Sequence, residues 1–453
     1  MTAGRSRTAQ DWIGGATPDP RALWRLGRYQ LEALRNERGF MASEAIGLYP
    51  ALYGRDSLWI LLFLLEAAVW NTASSFLAWV REAGQAILRS LCDLQGTELD
   101  DRIEEQPGKI IHEYHERPSA HAIRMEVPLR GGRSFAGFDE TFLFVVAFGR
   151  FADRFPDDPL VEEAWPSVEA ALEWIDRFGD EDGDGLFEYR RRDPDNLLNQ
   201  IWKDSYDAIT VNGFDVPVHP VAWIGAQAYA FRALQDAAAM LERRGRDGAA
   251  RGLQERAAHL QGEVYRRFWL EEEGCLAIAL DGRKRPIPLV TSDSGHALWA
   301  GLVRGDRMGL LVERMLRPDL FTPYGIRTLS AESPYYAPFA YHRGAIWPFD
   351  NAVFAMGLLE AGHRQEARSV MEAVGGAILQ IGWPVESYVV LDPDLIVKPS
   401  AIEGPILVHR RLVTEPGSGR RVPVNRNQAW TAAAIVYFAA LLAAMDNMPL
   451  VDG

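Results

Sequence analysis

The chain has 453 residues, with 48 Lys and Arg against 62 Asp and Glu and a formal charge of −14. That balance argues against a nucleic-acid or anionic-membrane binder, whose footprint would be basic. With 48% hydrophobic and 24% charged residues, the composition is that of a globular protein and excludes a disordered or fibrous one. The 14 Trp, 14 Tyr and 20 Phe either fill a large core or line a ligand cleft with flat apolar rings.

Met1 to Asp19 carries Arg5 and Arg7 but lacks the apolar run of a signal peptide, and is read as a flexible leader, residues 1–19. Leu58 to Trp70 is apolar, yet at 13 residues and containing Glu66 it is too short for a membrane span. Cys92 and Cys275 match no metal or redox spacing, so a disulfide scaffold is excluded. These features predict a soluble, cytoplasmic protein with no membrane partner. No Ser/Pro-rich linker or charge block divides the rest, and residues 20–453 are expected to form one domain.

Helical periodicity recurs along that domain. Val161, Ala164, Trp165, Val168, Ala171, Leu172 and Ile175 fall on one helical face, as do Leu253, Ala257, Leu260, Val264 and Phe268. In chain order the pattern predicts helices at about 20–37, 57–71, 73–94, 138–155, 160–178, 219–243, 247–268, 292–303, 305–316, 348–362, 364–380 and 427–446, twelve in all. Alternating β-branched runs are confined to short stretches such as Ser387 to Leu391 and Arg421 to Val424. A parallel sheet with crossover helices is therefore not supported, and six helical hairpins around a common axis fit the count.

Polar and aromatic residues gather between the helices. Tyr53-Gly-Arg-Asp-Ser57 opens an apolar helix, where Asp56 or Ser57 could serve as a cap. Gly179 to Gly185 supplies Asp180, Asp182 and Asp184, followed by Glu188. Oxygens at every second residue suit Ca²⁺, but the twelfth position counted from Asp180 is Arg191, so this is no EF-hand. A structural Ca²⁺ held by these four carboxylates and a turn closed by its own side-chain hydrogen bonds are the two readings. No other cofactor is called for.

Gln200-Ile-Trp-Lys-Asp-Ser205 sets a carboxyl beside an apolar ring, which raises a pKa, and an ammonium, which lowers it. Tyr341 to Asp350 packs Tyr, His, Arg, Trp and Asp into ten positions. Pro348 fits a first helical turn, so part of that block is punctuation. The remainder is what a sugar site needs, since hydroxyls want charged partners and the ring's C–H face wants an aromatic surface. No HExxH, Gly-x-Ser-x-Gly or phosphate-binding glycine pattern is present. His296, at the start of an apolar helix, reads equally well as a satisfied core histidine.

The order of these blocks resembles the catalytic domain of glycogen-debranching-type glycoside hydrolases, the amylo-α-1,6-glucosidase family. Matching segments are Gly54-Arg-Asp56, Pro107 to Glu113, Phe138-Asp-Glu-Thr141, Asp182-Gly-Asp-Gly185 with Glu188-Tyr189, and Asn199 to Ser205. Ser294-Gly-His296, Gly325 to Ser330, Tyr341-His-Arg-Gly344 with Trp347-Pro348, and Gln428-Ala-Trp430 follow in the same order. The resemblance implies an all-α (α/α)6 barrel, with a pocket for a terminal sugar at one rim, and an inverting mechanism. It implies that Asp204 is the general acid. For the base, counting from Tyr341 gives Glu386 and counting back from Gln428 gives Glu403; the Trp, Pro and Tyr around Glu386 favour it.

Arg55, Asp56, Trp202, Lys203, Tyr341, His342, Trp347, Gln428 and Trp430 are then expected to surround a carbohydrate substrate. With the Gly-Arg-Asp block already at residue 54, there is room for one leading helix and no accessory domain. A short α-glucoside is therefore as good a substrate as a glycogen branch, and an α-mannoside or a glycosylglycerate stays open. Two other classes compete: a carbohydrate-binding barrel without catalysis, and an epimerase or lyase using His342 as proton shuttle.

Overall fold

The computed structural model describes residues 17–44, 49–118, 122–123, 126–213, 215–392, 395–396 and 427–450. Among them are twelve helices of seven residues or more: α1 Pro20–Leu34, α2 Gly54–Trp70, α3 Ser74–Asp93, α4 Glu140–Arg154, α5 Trp165–Phe178 and α6 Ile224–Arg243. The second half continues with α7 Asp247–Arg267, α8 Asp293–Trp299, α9 Asp306–Met315, α10 Pro348–Glu360, α11 Arg364–Ile381 and α12 Ala429–Met445.

The even-numbered helices form a closed ring: α2 packs on α4, α4 on α6, α6 on α8, α8 on α10, α10 on α12, and α12 back on α2. The odd-numbered helices lie outside, α3 against α2, α5 against α4, α7 against α6, α9 against α8, α11 against α10, and α1 against α12. This is the (α/α)6 barrel. Sequence dictates which helix goes where. A helix apolar on every side can only be surrounded by protein, and Ala429 to Ala443 of α12 and Gly54 to Leu65 of α2 are buried without a break. The outer α7 buries only Ala250, Ala257, Leu260 and Val264, one stripe, and turns its charged face outward.

The predicted twelve helices are all present, with shifted ends. Pro166 stands just inside the start of α5, so the predicted 160–178 helix is split into a turn at Leu160–Glu163 and a helix from Trp165. The segment before α6 is not helical, because Pro220 interrupts it and Ala222–Trp223 pairs with Ala279–Leu280 as a strand. The first predicted helix stops at Leu34, where Arg35–Asn36 turns back as a hairpin onto Gly39–Phe40. The strand predicted near 387–391 appears as Val390–Asp392, paired with Leu395–Ile396. The run at 421–424, and Glu403, lie outside the described residues.

The remaining strands are two residues long and tie rim loops together. Leu52–Tyr53, Glu113–Tyr114 and Arg133–Ser134 form one antiparallel sheet just before α2. Gly54 follows immediately, and a Cβ there would lie 2.0 Å from the Ile111 carbonyl oxygen. Only glycine lets α2 start so close to that strand. Among the described residues no helix is long and apolar enough to cross a membrane.

Candidate active site

The first turn of the inner helix α2 brings polar side chains to a cavity. These are Arg55 and Asp56. The helix starts at Gly54 with Tyr53 as its N-cap residue, so Asp56 is not the cap; it lies within the first turn, while Ser57 Oγ donates to the Tyr53 carbonyl at 2.7 Å. Arg55 makes a forked pair with Asp139, Nε to Oδ1 at 2.9 Å and Nη2 to Oδ1 at 2.8 Å, and its Nη2 also lies 3.1 Å from Glu140 Oε1. His112 Nδ1 lies 2.8 Å from the same Glu140 oxygen. Burial alone would raise Glu140, but the Arg55 guanidinium and the His112 hydrogen bond hold it well below the usual carboxylate range. Burial works against a charged His112, and Glu140 outweighs it, so the imidazole is pushed up.

Asp204 sits in a loop whose neighbours are anchored on both sides. Lys203 is wholly buried, with Nζ 2.5 Å from Asp293 Oδ2 and 3.0 Å from the Thr328 carbonyl. Trp202 and Trp223 both donate indole N–H groups to Asp293 Oδ1, at 3.2 and 3.0 Å. On the other side Ser205 Oγ lies 2.9 Å from His342 Nδ1, and Asn199 Nδ2 donates to the Ser205 carbonyl at 2.8 Å. With Lys203 and Ser205 tied into the protein, the side chain between them is presented to the cavity.

Glu386 is fixed the same way. Tyr388 exchanges backbone hydrogen bonds with Ile346, Thr431 Oγ1 donates to the Val385 carbonyl at 2.9 Å, and Gln428 Nε2 donates to Glu386 Oε1 at 3.3 Å. Asp204 and Glu386 thus arrive from separate loops and line one small buried cavity. Arg55, Asp56, Trp202, Tyr341, Trp347 and Trp430 share its walls, as do Tyr49, Tyr53 and His112. The Tyr49 and Tyr341 hydroxyls lie 3.4 Å apart. Burial, then Glu386 and Asp204, push both phenols up, so they remain protonated. Burial raises Asp56 to about 7, with Arg55 and His112 opposing.

Three expected sugar contacts stand behind the wall instead. Lys203 is spent on Asp293, His342 stacks on Trp347 at 5.1 Å while holding Ser205, and Gln428 touches Glu386; none of the three is among the lining residues. Trp430 has two roles, lining the cavity and stacking on Phe349 with 4.0 Å between centroids. His296 is a core histidine, wholly buried between Tyr229 OH at 2.5 Å and Asp350 Oδ1 at 2.7 Å. Tyr53, beside the Gly-Arg-Asp block, is a pocket-lining aromatic that the sequence also points to. Sequence reasoning misses Tyr49 and His112 as wall residues; His112 lies within a motif block, but its orientation depends on the small rim sheet, which pattern alone does not place.

The Asp-rich loop lies away from this cavity. Asp180 uses both oxygens on backbone amides, Oδ1 on Gly183 at 2.7 Å and Oδ2 on Gly185 at 2.9 Å. Asp180, Asp182 and Glu188 offer oxygens within 4.8 Å of one another, close enough to share an ion. The Lys284 ammonium, however, contacts Asp182 at 3.1 Å, Asp184 at 3.2 Å and Glu188. A protein cation therefore occupies the middle of the expected metal ligands.

A barrel of this kind with two carboxylates lining one pocket has the parts that glycoside hydrolysis requires. A family model described as the mannosylglycerate hydrolase MGH1-like glycoside hydrolase domain matches residues 127–382, more than half of the chain. The chain belongs to that family. Among solved structures, a GH63 mannosylglycerate hydrolase from Thermus thermophilus in complex with glucose is 17% identical, with a TM-score of 0.66 over 92% of this chain and 99% of that one. The same enzyme in complex with Tris and D-glycerate is 16% identical, with a TM-score of 0.64 over the same shares. A rhamnosidase from Klebsiella oxytoca with rhamnose bound is 13% identical, covering 96% of this chain and 66% of that one at a TM-score of 0.57. No curated protein matches the chain in sequence. The expected barrel and glycoside hydrolase class stand; none of these comparisons singles out glycogen debranching.

Proposed function

We propose that the chain is an inverting, exo-acting glycosidase that removes a terminal α-linked sugar, glucose by preference, from a short α-glucoside. Asp204 protonates the glycosidic oxygen and Glu386 deprotonates the attacking water. The observation that carries this reading is the shared cavity: Asp204 and Glu386 come from different loops and meet in one buried pocket with Arg55, Asp56 and three tryptophans. Arg55 and Asp56 would take hydroxyls, and Trp202, Trp347 and Trp430 the apolar C–H surface. The carbohydrate ligands of the similar barrels agree with this assignment.

The mechanism asks two things of the carboxylates. The acid must carry a proton at the pH of turnover and stand beside the leaving oxygen. The base must be ionised and about 6.5–9.5 Å away, leaving room for one water. Asp204→Asn should fold normally and lose hydrolysis of poor leaving groups, while a substrate with an activated leaving group recovers part of the rate. Glu386→Gln should be inactive until azide is supplied. NMR of the first anomer released should show the β-sugar from an α-linked substrate. Ordinary turnover by Asp204→Asn, or release of the α-anomer first, would overturn the assignment.

A further inference from the structure

A second cavity, of about 630 Å³, opens outward from the first and shares Asp204 and Tyr341 with it. Glu386 lines only the inner one. A general acid stands at the bond being broken, between the departing group and the ring that stays behind. The outer cavity then holds the leaving group, an assignment that rests on Asp204 being the acid of the glycosidase proposed above.

The size and charge of the outer cavity describe its occupant. About 630 Å³ falls within the range of pockets that enclose drug-sized ligands, about 300–1,000 Å³, and a three-carbon acid would fill little of it. Besides Asp204, which carries the proton as the acid, three carboxylates line it, Glu113, Asp195 and Asp207, against the two guanidiniums of Arg191 and Arg343. Arg343 is engaged by Asp207, with Nη2 at 2.7 Å and Nε at 3.1 Å. Glu113 stays ionised: burial alone would raise it, but the His115 hydrogen bond at 2.8 Å and neighbouring His112 bring it below the usual carboxylate range. An anionic leaving group would therefore enter a surface with an excess of negative charge.

The apolar part of the lining points to a ring. Tyr206 and Phe339 are 56% and 42% exposed, and both border the cavity. Exposed aromatic rings flanked by carboxylates and a guanidinium are the components that bind a neutral sugar, face on ring and hydroxyl on charge.

We infer that the leaving group is a neutral pyranose, so that the substrate class is an α-linked disaccharide or short oligosaccharide rather than a glycosylglycerate. The step adds water across the glycosidic bond, with the Asp204 proton going to the departing sugar oxygen and the water proton to Glu386.

The test compares kcat/KM on α-1,2-, α-1,3-, α-1,4- and α-1,6-linked glucosyl and mannosyl disaccharides with that on glucosylglycerate and mannosylglycerate. α-Glucosyl and α-mannosyl fluoride, whose leaving group does not need the outer cavity, are measured alongside. At least one disaccharide should exceed both glycosylglycerates by roughly tenfold or more. Phe339→Ala and Tyr206→Ala should each lower the ratio of disaccharide to fluoride kcat/KM by roughly fivefold to tenfold. Rates on every disaccharide that are equal to or below those on the glycosylglycerates overturn the inference while leaving the glycosidase reading intact, provided a fluoride is hydrolysed. If neither fluoride is hydrolysed, the glycosidase reading falls and the inference with it.

Discussion

Gln428, the residue immediately before α12, donates its side-chain N–H to Oε1 of Glu386 at 3.3 Å, and both side chains are buried. The hydrogen bond joins the last inner helix of the ring to the loop carrying the proposed base. Gln428 is absent from the cavity wall, so it acts through Glu386 and is a positioning residue. A hydrogen bond to a charged group is worth about 1.5–3 kcal/mol, roughly a tenfold to hundredfold change in rate. Gln428→Leu should lower kcat by that factor with KM nearly unchanged, and Gln428→Asn should recover little because its shorter side chain does not reach. Steady-state kinetics on one substrate check this; a rise in KM at constant kcat would instead place Gln428 in the sugar site.

Lys203 and Asp293 make a pair with no solvent on either partner. Burial works to raise Asp293, and the Lys203 ammonium outweighs it, so the carboxyl lies below its usual range. Removing one member leaves the other charged in a dry interior, which costs about 3–5 kcal/mol. Lys203→Met should show that loss in urea denaturation, and so should Asp293→Asn. The double variant should cost clearly less than the two singles added together. Additive losses would mean the two side chains stabilise the loop independently.

This pair also illustrates what the sequence makes legible. Trp-Lys-Asp-Ser has four polar or amphipathic residues in a row, and the linear pattern marks Trp202, Lys203 and Asp204 as site residues. Folding sorts them by direction: Trp202 faces the cavity while anchored to Asp293, Lys203 turns into the core, Asp204 remains in the cavity, and Ser205 is tied to His342. Which way each one turns depends on Asp293 and His342, 90 and 137 residues away. Helix periodicity, by contrast, is local, and it places all twelve helices. The misplaced ends fall where a proline or a two-residue strand intervenes, as at Pro166 and at Ala222–Trp223. Spacing identifies Asp180, Asp182, Asp184 and Glu188 as a cluster, but the cation among them comes from a hairpin about a hundred residues later, beyond any local pattern.

Lys284 makes the Asp-rich loop a test of metal dependence. Its ammonium reaches Asp182, Asp184 and Glu188, and Arg267 Nη1 adds a contact to Asp184 at 2.5 Å. Chelation with EDTA should therefore leave Tm and activity unchanged. Lys284→Ala removes the central positive charge and should lower Tm by several degrees. Millimolar Ca²⁺ should then restore much of the loss in that variant, because the carboxylates left facing one another are oxygen ligands at metal-sharing distance. A fall in the unmodified protein's Tm on chelation would show that the loop holds a metal in addition to Lys284.

Asp56 links the sugar pocket to stability through pH. Burial raises its carboxyl to about 7, with Arg55 and His112 opposing and Asp204 adding to the rise. In the unfolded chain the same group titrates near its ordinary value, about 3.9. A raised folded pKa means the native state binds the proton more tightly, so the stabilising contribution is complete below the unfolded pKa and is lost as pH rises toward 7. At pH 8 the native protein holds a buried carboxylate at a cost of roughly 4 kcal/mol relative to acid conditions. Asp56→Asn removes that cost. Its stability advantage over the unmodified protein should open between about pH 4 and 7 and then stay level, as read by denaturant unfolding at several pH values. The same substitution removes a charged acceptor from the cavity, so KM for the sugar should rise while the protein becomes more stable. A stability gain that is the same at about pH 4 and about pH 8 would show that Asp56 is ionised in the folded protein throughout, and that its burial is offset by Arg55.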